Sequence, residues 1–179
     1  MGDYAVAVVG RDQPGIAAAL ANALLASDAN IEDSRMTILG GQFAVMMLVS
    51  LPDDADVAAL QVDLDGVRDK LGLETAVLRE IEDASSSARP EPTHVLTVYG
   101  ADHSGIVAAV CETLADNKVN IDDLATRVVG AEEAPVYTLI CELTLPEDLD
   151  LAELSDDLDA VAVSQGVEVV LRELDQDIL

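Results

Sequence analysis

Two kinds of apolar spacing alternate along the first half of the chain. Four β-favouring apolar runs predict strands, at Tyr4 to Val9, Ile31 to Leu39, Phe43 to Leu51 and Leu73 to Ile81. Apolar residues at intervals of three or four predict two amphipathic helices, from Gly15 to Ala29 and from Val57 to Leu71. Gly40-Gly41 predicts a hairpin turn, and Gly72 predicts the end of the second helix. The predicted order is strand, helix, strand, strand, helix, strand.

The second half of the chain repeats this order. Strands are predicted at Val95 to Tyr99, Ile121 to Val129, Val136 to Leu145 and Val167 to Leu174, with helices at Gly105 to Asp116 and Leu151 to Val163. Seven residues also recur at an offset of 90, and the first of each pair are Gly10, Asp12, Gly15, Ile16, Asn30, Ile31 and Asp33. A repeat of this length indicates a duplicated small domain.

The repeat defines the predicted domains and their fold. We expect one domain at residues 1–83, a Ser- and Pro-rich linker at 84–92 and a second domain at 93–179. Right-handed crossovers around an antiparallel central pair turn each element order into a ferredoxin-like βαββαβ domain. The fold class is therefore α+β, with two four-stranded antiparallel sheets that each carry two helices on one face.

A glycine-rich turn follows the first strand of each half and carries the candidate chemistry. It is Gly10-Arg11-Asp12-Gln13-Pro14-Gly15-Ile16 in the first half and Gly100-Ala101-Asp102-His103-Ser104-Gly105-Ile106 in the second. Free backbone N–H groups at a helix start suit a carboxylate, and a nearby Asp suits an ammonium group, so the turn fits an α-amino acid. Asn30 and Asn120, after the helix, would complete the grip.

The same residues fit a purely structural interpretation. Asp12 and Asp102 would then cap the first helix of each half, and Asn30 and Asn120 would be left-handed helix stops. The residues alone leave both interpretations open.

The duplicated turn, the Asn-Ile pairs at Asn30 and Asn120 and the element order resemble ACT domains, small regulatory modules that bind amino acids. More narrowly, the chain resembles tandem ACT proteins of the glycine cleavage system transcriptional repressor family. The resemblance implies side-by-side sheet pairing and ligand sites at interfaces between ACT domains. It implies ligand-binding roles for Asp12, Gly15, Ile16, Asn30, Asp102, Gly105, Ile106 and Asn120.

Charge narrows the range of partners. The chain of 179 residues has 35 acidic and 9 basic residues, for a net charge of −26, although half of it is apolar. Phosphate backbones and anionic membranes would be repelled, so we expect no direct nucleic-acid or membrane partner. Without CxxC spacing, a leader pattern or a run of about 18 apolar residues, the sequence predicts a cytoplasmic protein.

No catalytic or cofactor motif appears in the sequence. The two histidines, His94 and His103, belong to no zinc-ligand pattern, and His103 stands opposite Gln13, so we expect it to be a solvent-facing loop residue. Walker, dinucleotide and Gly-x-Ser-x-Gly patterns are missing, so we expect no metal, no cofactor and no catalytic residue. An enzyme that used Asp12 or Asp102 as an acid or base would lack a visible second group.

The sequence therefore predicts a non-enzymatic regulator that binds a small amino acid and signals through a protein partner. The resemblance favours glycine or serine, a role in transcription regulation of amino-acid metabolism, and a homodimer. The alternative is a ligand-free acidic interaction or dimerisation module, for which the apolar residues Met46 and Leu48 of the third strand provide a surface.

Overall fold

The computed structural model describes residues 2–81, 91–129 and 136–174, which form two compact units. The first unit spans the described residues up to 81 and the second begins at 91. Residues 84–90 of the predicted linker lie outside the described residues, and the exact domain limits stay a prediction.

The first unit has the predicted βαββαβ order. Its elements are β1 (Gly2–Arg11), α1 (Ile16–Ala26), β2 (Asn30–Leu39), β3 (Gln42–Leu51), α2 (Val57–Leu71) and β4 (Leu73–Glu80). The strands form one antiparallel sheet in the order β2-β3-β1-β4. Gly40 and Gly41, at φ 58° and 77°, make the tight turn between β2 and β3, as their sequence predicts.

The second unit repeats this arrangement. Its elements are β5 (His94–Gly100), α3 (Ile106–Asp116), β6 (Asn120–Val129), β7 (Val136–Thr144), α4 (Leu151–Gln165) and β8 (Val167–Glu173). The sheet order β6-β7-β5-β8 is the counterpart of the first. The α+β class and the two ferredoxin-like repeats are therefore confirmed.

Each core lies between the sheet and its two helices. In the first unit, alternate strand residues such as Val6, Val8 and Val49 meet Leu20 and Leu60 from the helices, and all five are fully buried. In the second unit, Cys141 lies within the core, where burial raises the pKa of its thiol to about 11. That thiol is a small apolar core group.

The first helix of the first unit ends earlier than its sequence predicts, whereas α3 ends at Asp116 as predicted. Helix α1 ends at Ala26, three residues before the predicted end, because Asp28 takes a left-handed conformation at φ 52°. Lys118 takes the same role in the second unit at φ 57°. Asn30 and Asn120 instead begin β2 and β6, so their interpretation as left-handed helix stops is wrong.

The edge strand β2 is exposed along its whole length. All ten of its residues are exposed, including the apolar side chains of Met36 and Ile38, each 52% exposed. A long exposed edge strand with apolar side chains favours pairing with another strand.

The helix-free face of the first sheet is apolar at its centre and basic at its margin. Register places Ala7, Met46 and Val77 side by side there, and Met46 is 58% exposed. Three of the chain's nine basic residues share this face, namely Arg11, Arg35 and Arg79, and the same registers place two acidic residues there, Asp3 and Asp33. A protein of this net charge thus keeps one face of its first unit free of the acidic excess.

Among the helices of the described segments, none is long and apolar enough to cross a membrane.

Replacement of Gly66 should stabilise the first unit. Gly66 lies inside α2, a Cβ there would touch nothing within 4 Å, and the second unit has Ala160 at the matching position. Gly66→Ala should raise the free energy of unfolding by about 1 kcal/mol, because alanine loses less backbone entropy in a helix. Urea unfolding followed by circular dichroism measures this change.

The control is Gly72→Ala, at the left-handed C-cap of the same helix with φ 61°. It should destabilise by about 1 kcal/mol. An unchanged or lowered stability of Gly66→Ala would contradict the assignment of open space around this glycine.

Candidate functional site

Two glycines shape each turn between the first strand and the first helix. A Cβ on Gly10 would lie 2.9 Å from the Cα of Leu73, so only glycine permits this approach of β1 to β4. Gly100 stands in the same relation to Val167, at 3.2 Å. Gly15 and Gly105 precede the helices with φ of 100° and 109°, a region that other residues rarely adopt. The glycine spacing of the motif is thus a backbone requirement.

The first helix of each unit begins without a side-chain cap. Gly15 and Gly105 occupy the N-cap positions of α1 and α3, and neither helix has an acidic residue in its first turn. The second helices differ, because Asp56 caps α2 by accepting from the Ala59 N–H and Asp150 caps α4. The first-turn N–H groups of α1 and α3 are therefore left to another acceptor.

Asp12 and Asp102 do not cap these helices. Each lies three residues before the N-cap glycine, with an exposed side chain. The backbone N–H of Asp12 donates to the carbonyl of Gly41 at 2.9 Å, which ties the turn to the β2–β3 hairpin. The capping interpretation of these carboxylates is wrong, and both remain at the rim of an uncapped helix start.

A side chain of each turn is bonded to the end of the second helix. Gln13 Nε2 donates to the Leu71 carbonyl at 2.5 Å, where α2 ends. His103 Nε2 lies 2.8 Å from the Gln165 carbonyl, where α4 ends, and its Nδ1 lies 3.0 Å from the Ser104 carbonyl. These backbone bonds raise the pKa of His103. The predicted solvent-facing histidine is exposed as expected, but it also holds the turn.

Asn30 and Asn120 donate to carboxylates that the sequence interpretation missed. Asn30 Nδ2 donates to Glu32 at 2.9 Å, and Ser50 Oγ donates to the same oxygen at 2.6 Å. In the second unit Asn120 and Thr144 bond to Asp122, at 2.5 and 2.6 Å. Both carboxylates lie at an irregularity in strand register, between Ile31 and Asp33 and at the equivalent place in β6. The sequence repeat could have revealed these two carboxylates, since Glu32 and Asp122 are both acidic at the repeat's offset of 90.

The donated bonds change the electrostatics of the strand start. They lower the pKa of Glu32, with Ser50 the larger cause and Asn30 the smaller. Because the carboxylate accepts from the amide N–H of Asn30, the amide oxygen is the atom of this side chain that suits another donor group.

The turn and the asparagine of one unit lie at opposite ends of its sheet. Arg11, at the turn, pairs with Gln42, whereas Asn30 pairs with Ser50 at the other end of β3. Eight residues of strand at 3.3 Å each separate the two ends by about 26 Å. The predicted completion of one site by both groups of the same unit therefore does not occur.

The remaining predicted site residues contribute backbone only. Ile16 and Ile106 are 1% exposed, and their side chains belong to the two cores. Gly15 and Gly105 have no side chain to offer. Of the eight predicted positions, the side chains of Asp12, Asp102, Asn30 and Asn120 are the exposed polar ones.

Open hollows adjoin both turns. A groove of about 590 Å³ begins at Gly15 and runs between α1 and α2 past Ala19, Ala26 and Gly66. A second hollow of about 450 Å³ lies beside the second turn, against Gly100, Ala101 and Gly166. Both leave space for a small molecule beside a turn. Over the described segments, no cluster of three His, Cys, Asp or Glu side chains has the geometry of a metal site.

Comparison with known families assigns both halves to one domain type. Residues 5–77 and residues 94–153 each match a family model described as an ACT domain.

Two curated relatives differ in how much of their length matches. A UPF0237 protein of Methanopyrus kandleri is 40% identical over 76 residues, which are 42% of this chain and 84% of the relative. Phosphoserine phosphatase SerB2 of Mycobacterium tuberculosis is 29% identical over 170 residues. That alignment covers 94% of this chain but 40% of SerB2.

Two solved structures match along nearly the whole chain. A protein of unknown function from Galdieria sulphuraria has 31% identity and a TM-score of 0.80, covering 97% of this chain and 99% of that one. A protein described as a candidate glycine cleavage system transcriptional repressor has a TM-score of 0.71 and covers 98% of each chain. Its 17% identity supports the shared fold alone.

Removal of the Ser50 hydroxyl should raise the pKa of Glu32. Ser50→Ala deletes the bond that is the larger cause of the lowered value, so the carboxyl should titrate closer to its ordinary range. A lowered pKa stabilises the fold above the ordinary value, and this contribution is lost as pH falls through the folded-state pKa. Carbon-detected NMR titration of Glu32 measures the shift.

Thr37→Ala, farther along β2, is the matched control and should leave Glu32 unchanged. Equal Glu32 titration in Ser50→Ala and the unaltered protein would contradict the strand-start network.

Proposed function

Because this chain belongs to the ACT-domain family and contains two such domains in tandem, we propose that it binds a small amino acid and signals through protein contacts. In this proposal the protein is a non-enzymatic regulator, with glycine or serine as its ligand. The observation that carries the proposal is the uncapped helix start in both units, beside Asp12 and Asp102, while α2 and α4 are capped.

The turn supplies contacts for both charges of the amino acid, and these contacts make up one half of the proposed site. The first-turn N–H groups of α1, beginning at Ile16, suit the α-carboxylate, and the positive end of the helix dipole strengthens this bond. The exposed carboxylate of Asp12 suits the α-ammonium group. A zwitterion has no net charge, so the acidic surface does not repel it.

The other half of the site comes from a second copy of the chain. Antiparallel pairing of the exposed β2 edges of two copies places the start of one β2 beside the end of the other. Asn30 of one copy then approaches the β2–β3 hairpin of the other copy. In that other copy, the Asp12 N–H bonds the hairpin to the glycine-rich turn. The pairing thus joins the two groups that lie about 26 Å apart within a single unit.

Two similarities support glycine or serine as the ligand. The tandem arrangement resembles the glycine cleavage repressor family, and the chain aligns along 94% of its length with phosphoserine phosphatase SerB2.

Binding produces a signal only if it favours one arrangement of the domains over another. A ligand that touches two copies at once has this property, because its full set of contacts exists only in the paired state. We infer that the paired state contacts a regulatory protein, including one in transcription, since the net charge of −26 disfavours direct binding to DNA. The two free cysteines are consistent with work in a reducing cytoplasm.

Calorimetry against the twenty amino acids tests the ligand. We expect heat with glycine or serine, and we expect Asp12→Ala and Asp102→Ala each to weaken a site by about tenfold or more, as for loss of a charged hydrogen bond. The matched control is Asp54→Ala, which removes the same charge from an exposed loop at the far end of the sheet. The proposed function would be contradicted if none of the twenty amino acids gave a heat of binding, or if all three variants bound the ligand equally well.

Sedimentation equilibrium tests the pairing of the edges. The double variant Met36→Lys/Ile38→Lys should abolish both the dimer and the amino-acid binding, because the two changes place charge along the β2 edge. Val62→Lys, at an exposed apolar residue of α2, should leave both unchanged. A dimer that survives the β2 changes would contradict edge pairing.

A ligand-free dimerisation module is the second candidate, and the helix-free face of the first sheet favours it. That face combines Met46 with three arginines and only two aspartates, so a second copy can meet it without the repulsion that the rest of the acidic surface imposes. Under this alternative Met46→Lys dissociates the dimer, the β2 changes do not, and no amino acid alters the association.

A further inference from the structure

His103 is placed between two carbonyl oxygens. Its Nε2 lies 2.8 Å from the Gln165 carbonyl and its Nδ1 lies 3.0 Å from the Ser104 carbonyl. A carbonyl oxygen only accepts, and a neutral imidazole has one N–H. Both contacts are hydrogen bonds at the same time only when the ring is protonated.

The partner carbonyl lies at a position that favours a cation. Gln165 is the last residue of α4, and the carbonyl end of a helix carries the negative end of its dipole. On the turn itself, Asp102 is the charged neighbour that acts on the ring and favours the imidazolium. From α4 the ring meets the uncharged backbone carbonyl of Gln165.

The first unit makes the same connection without a titratable group. Gln13 occupies the position of His103, and its Nε2 donates to the carbonyl of Leu71, the last residue of α2. An amide side chain keeps its hydrogens at every physiological pH. The repeat thus contains a natural control for the histidine.

We propose that protonation of His103 positions the second turn against α4, so that the candidate site of the second unit depends on pH near neutrality and that of the first does not. His103 is a positioning residue in this account. It fixes the segment that leads to the N-cap at Gly105 and the first-turn N–H groups of α3. The extension to ligand affinity rests on the proposed amino-acid function, whereas the coupling of the turn to His103 does not.

The sign of the pH effect follows from the direction of the shift. Backbone bonds to Ser104 and Gln165 raise the pKa of His103 above the ordinary value of 6.5, and partial desolvation opposes them. The stabilisation of the turn is therefore complete below the ordinary value and is lost as pH rises through the folded-state pKa. In mildly acidic solution His103 holds the second turn by both bonds, and in alkaline solution its neutral ring donates only one.

NMR titration of the full chain without ligand tests the coupling. The imidazole signal of His103 should titrate above 6.5, and the backbone amide of Gly105 should follow it with the same midpoint. The amide of Gly15 should show no step in this range. The variant His103→Gln assigns the imidazole signals.

Two reciprocal variants separate the proposal from a general effect of pH. His103→Gln should remove the step at Gly105, since glutamine already holds the first turn, and Gln13→His should create one at Gly15. Titration of His103 at or below 6.5, or a Gly105 amide that ignores it, would overturn the proposal.

Calorimetry at about pH 6 and about pH 8 tests the ligand arm. Glycine or serine should bind the second site several-fold more weakly at the higher pH, and His103→Gln should remove this difference. Equal binding at both pH values would overturn the extension to affinity. If no amino acid binds at all while Gly105 still titrates with His103, the proposed function fails and the pH-dependent turn stands.

Discussion

The structure depends on a backbone constraint at Gly15 and Gly105. A φ near 100° is open to glycine and strained for other residues, and it turns the chain from strand to helix without placing a side chain at the N-cap. The first-turn N–H groups are consequently left without a side-chain cap within the described residues. Helices α2 and α4, by contrast, are capped by aspartate side chains, so the lack of a side-chain cap is specific to α1 and α3.

The asparagines lie far from the uncapped helix starts of their own units. Each Asn begins an edge strand and is oriented by a carboxylate of the same strand, at the far end of the sheet from the turn. No motion of side chains bridges a gap of about 26 Å. A site that uses both groups therefore requires another domain, and the fully exposed β2 is the surface that we propose for its attachment.

The repeat made most of the fold predictable. Strand and helix order followed from apolar spacing, and Gly40-Gly41 and Gly72 marked a hairpin and a helix end where the structure has them. The end of α1 was misplaced because Asp28 stops the helix in a left-handed conformation, which aspartate adopts more readily than most residues but far less regularly than glycine. Apolar spacing does not report such a backbone conformation.

The candidate site was less predictable, for physical reasons. Sequence proximity of Asn30 to the end of α1 suggested proximity to the turn, but a helix of eleven residues carries the chain to the other end of the sheet. The roles of Glu32 and Ser50 depend on cross-strand register, which one sequence does not display. The two contacts of His103 depend on where α4 ends in space.

The central claim is that turn amides and a strand-start asparagine form one amino-acid site. Titration of nitrogen-labelled protein with glycine and with serine, followed by NMR, tests it most directly. The account predicts that the backbone amides of Ile16 and Ala17 and the side-chain amide of Asn30 shift together with a single saturation curve. Shifts confined to one end of the sheet, or no shifts at either end, would contradict it.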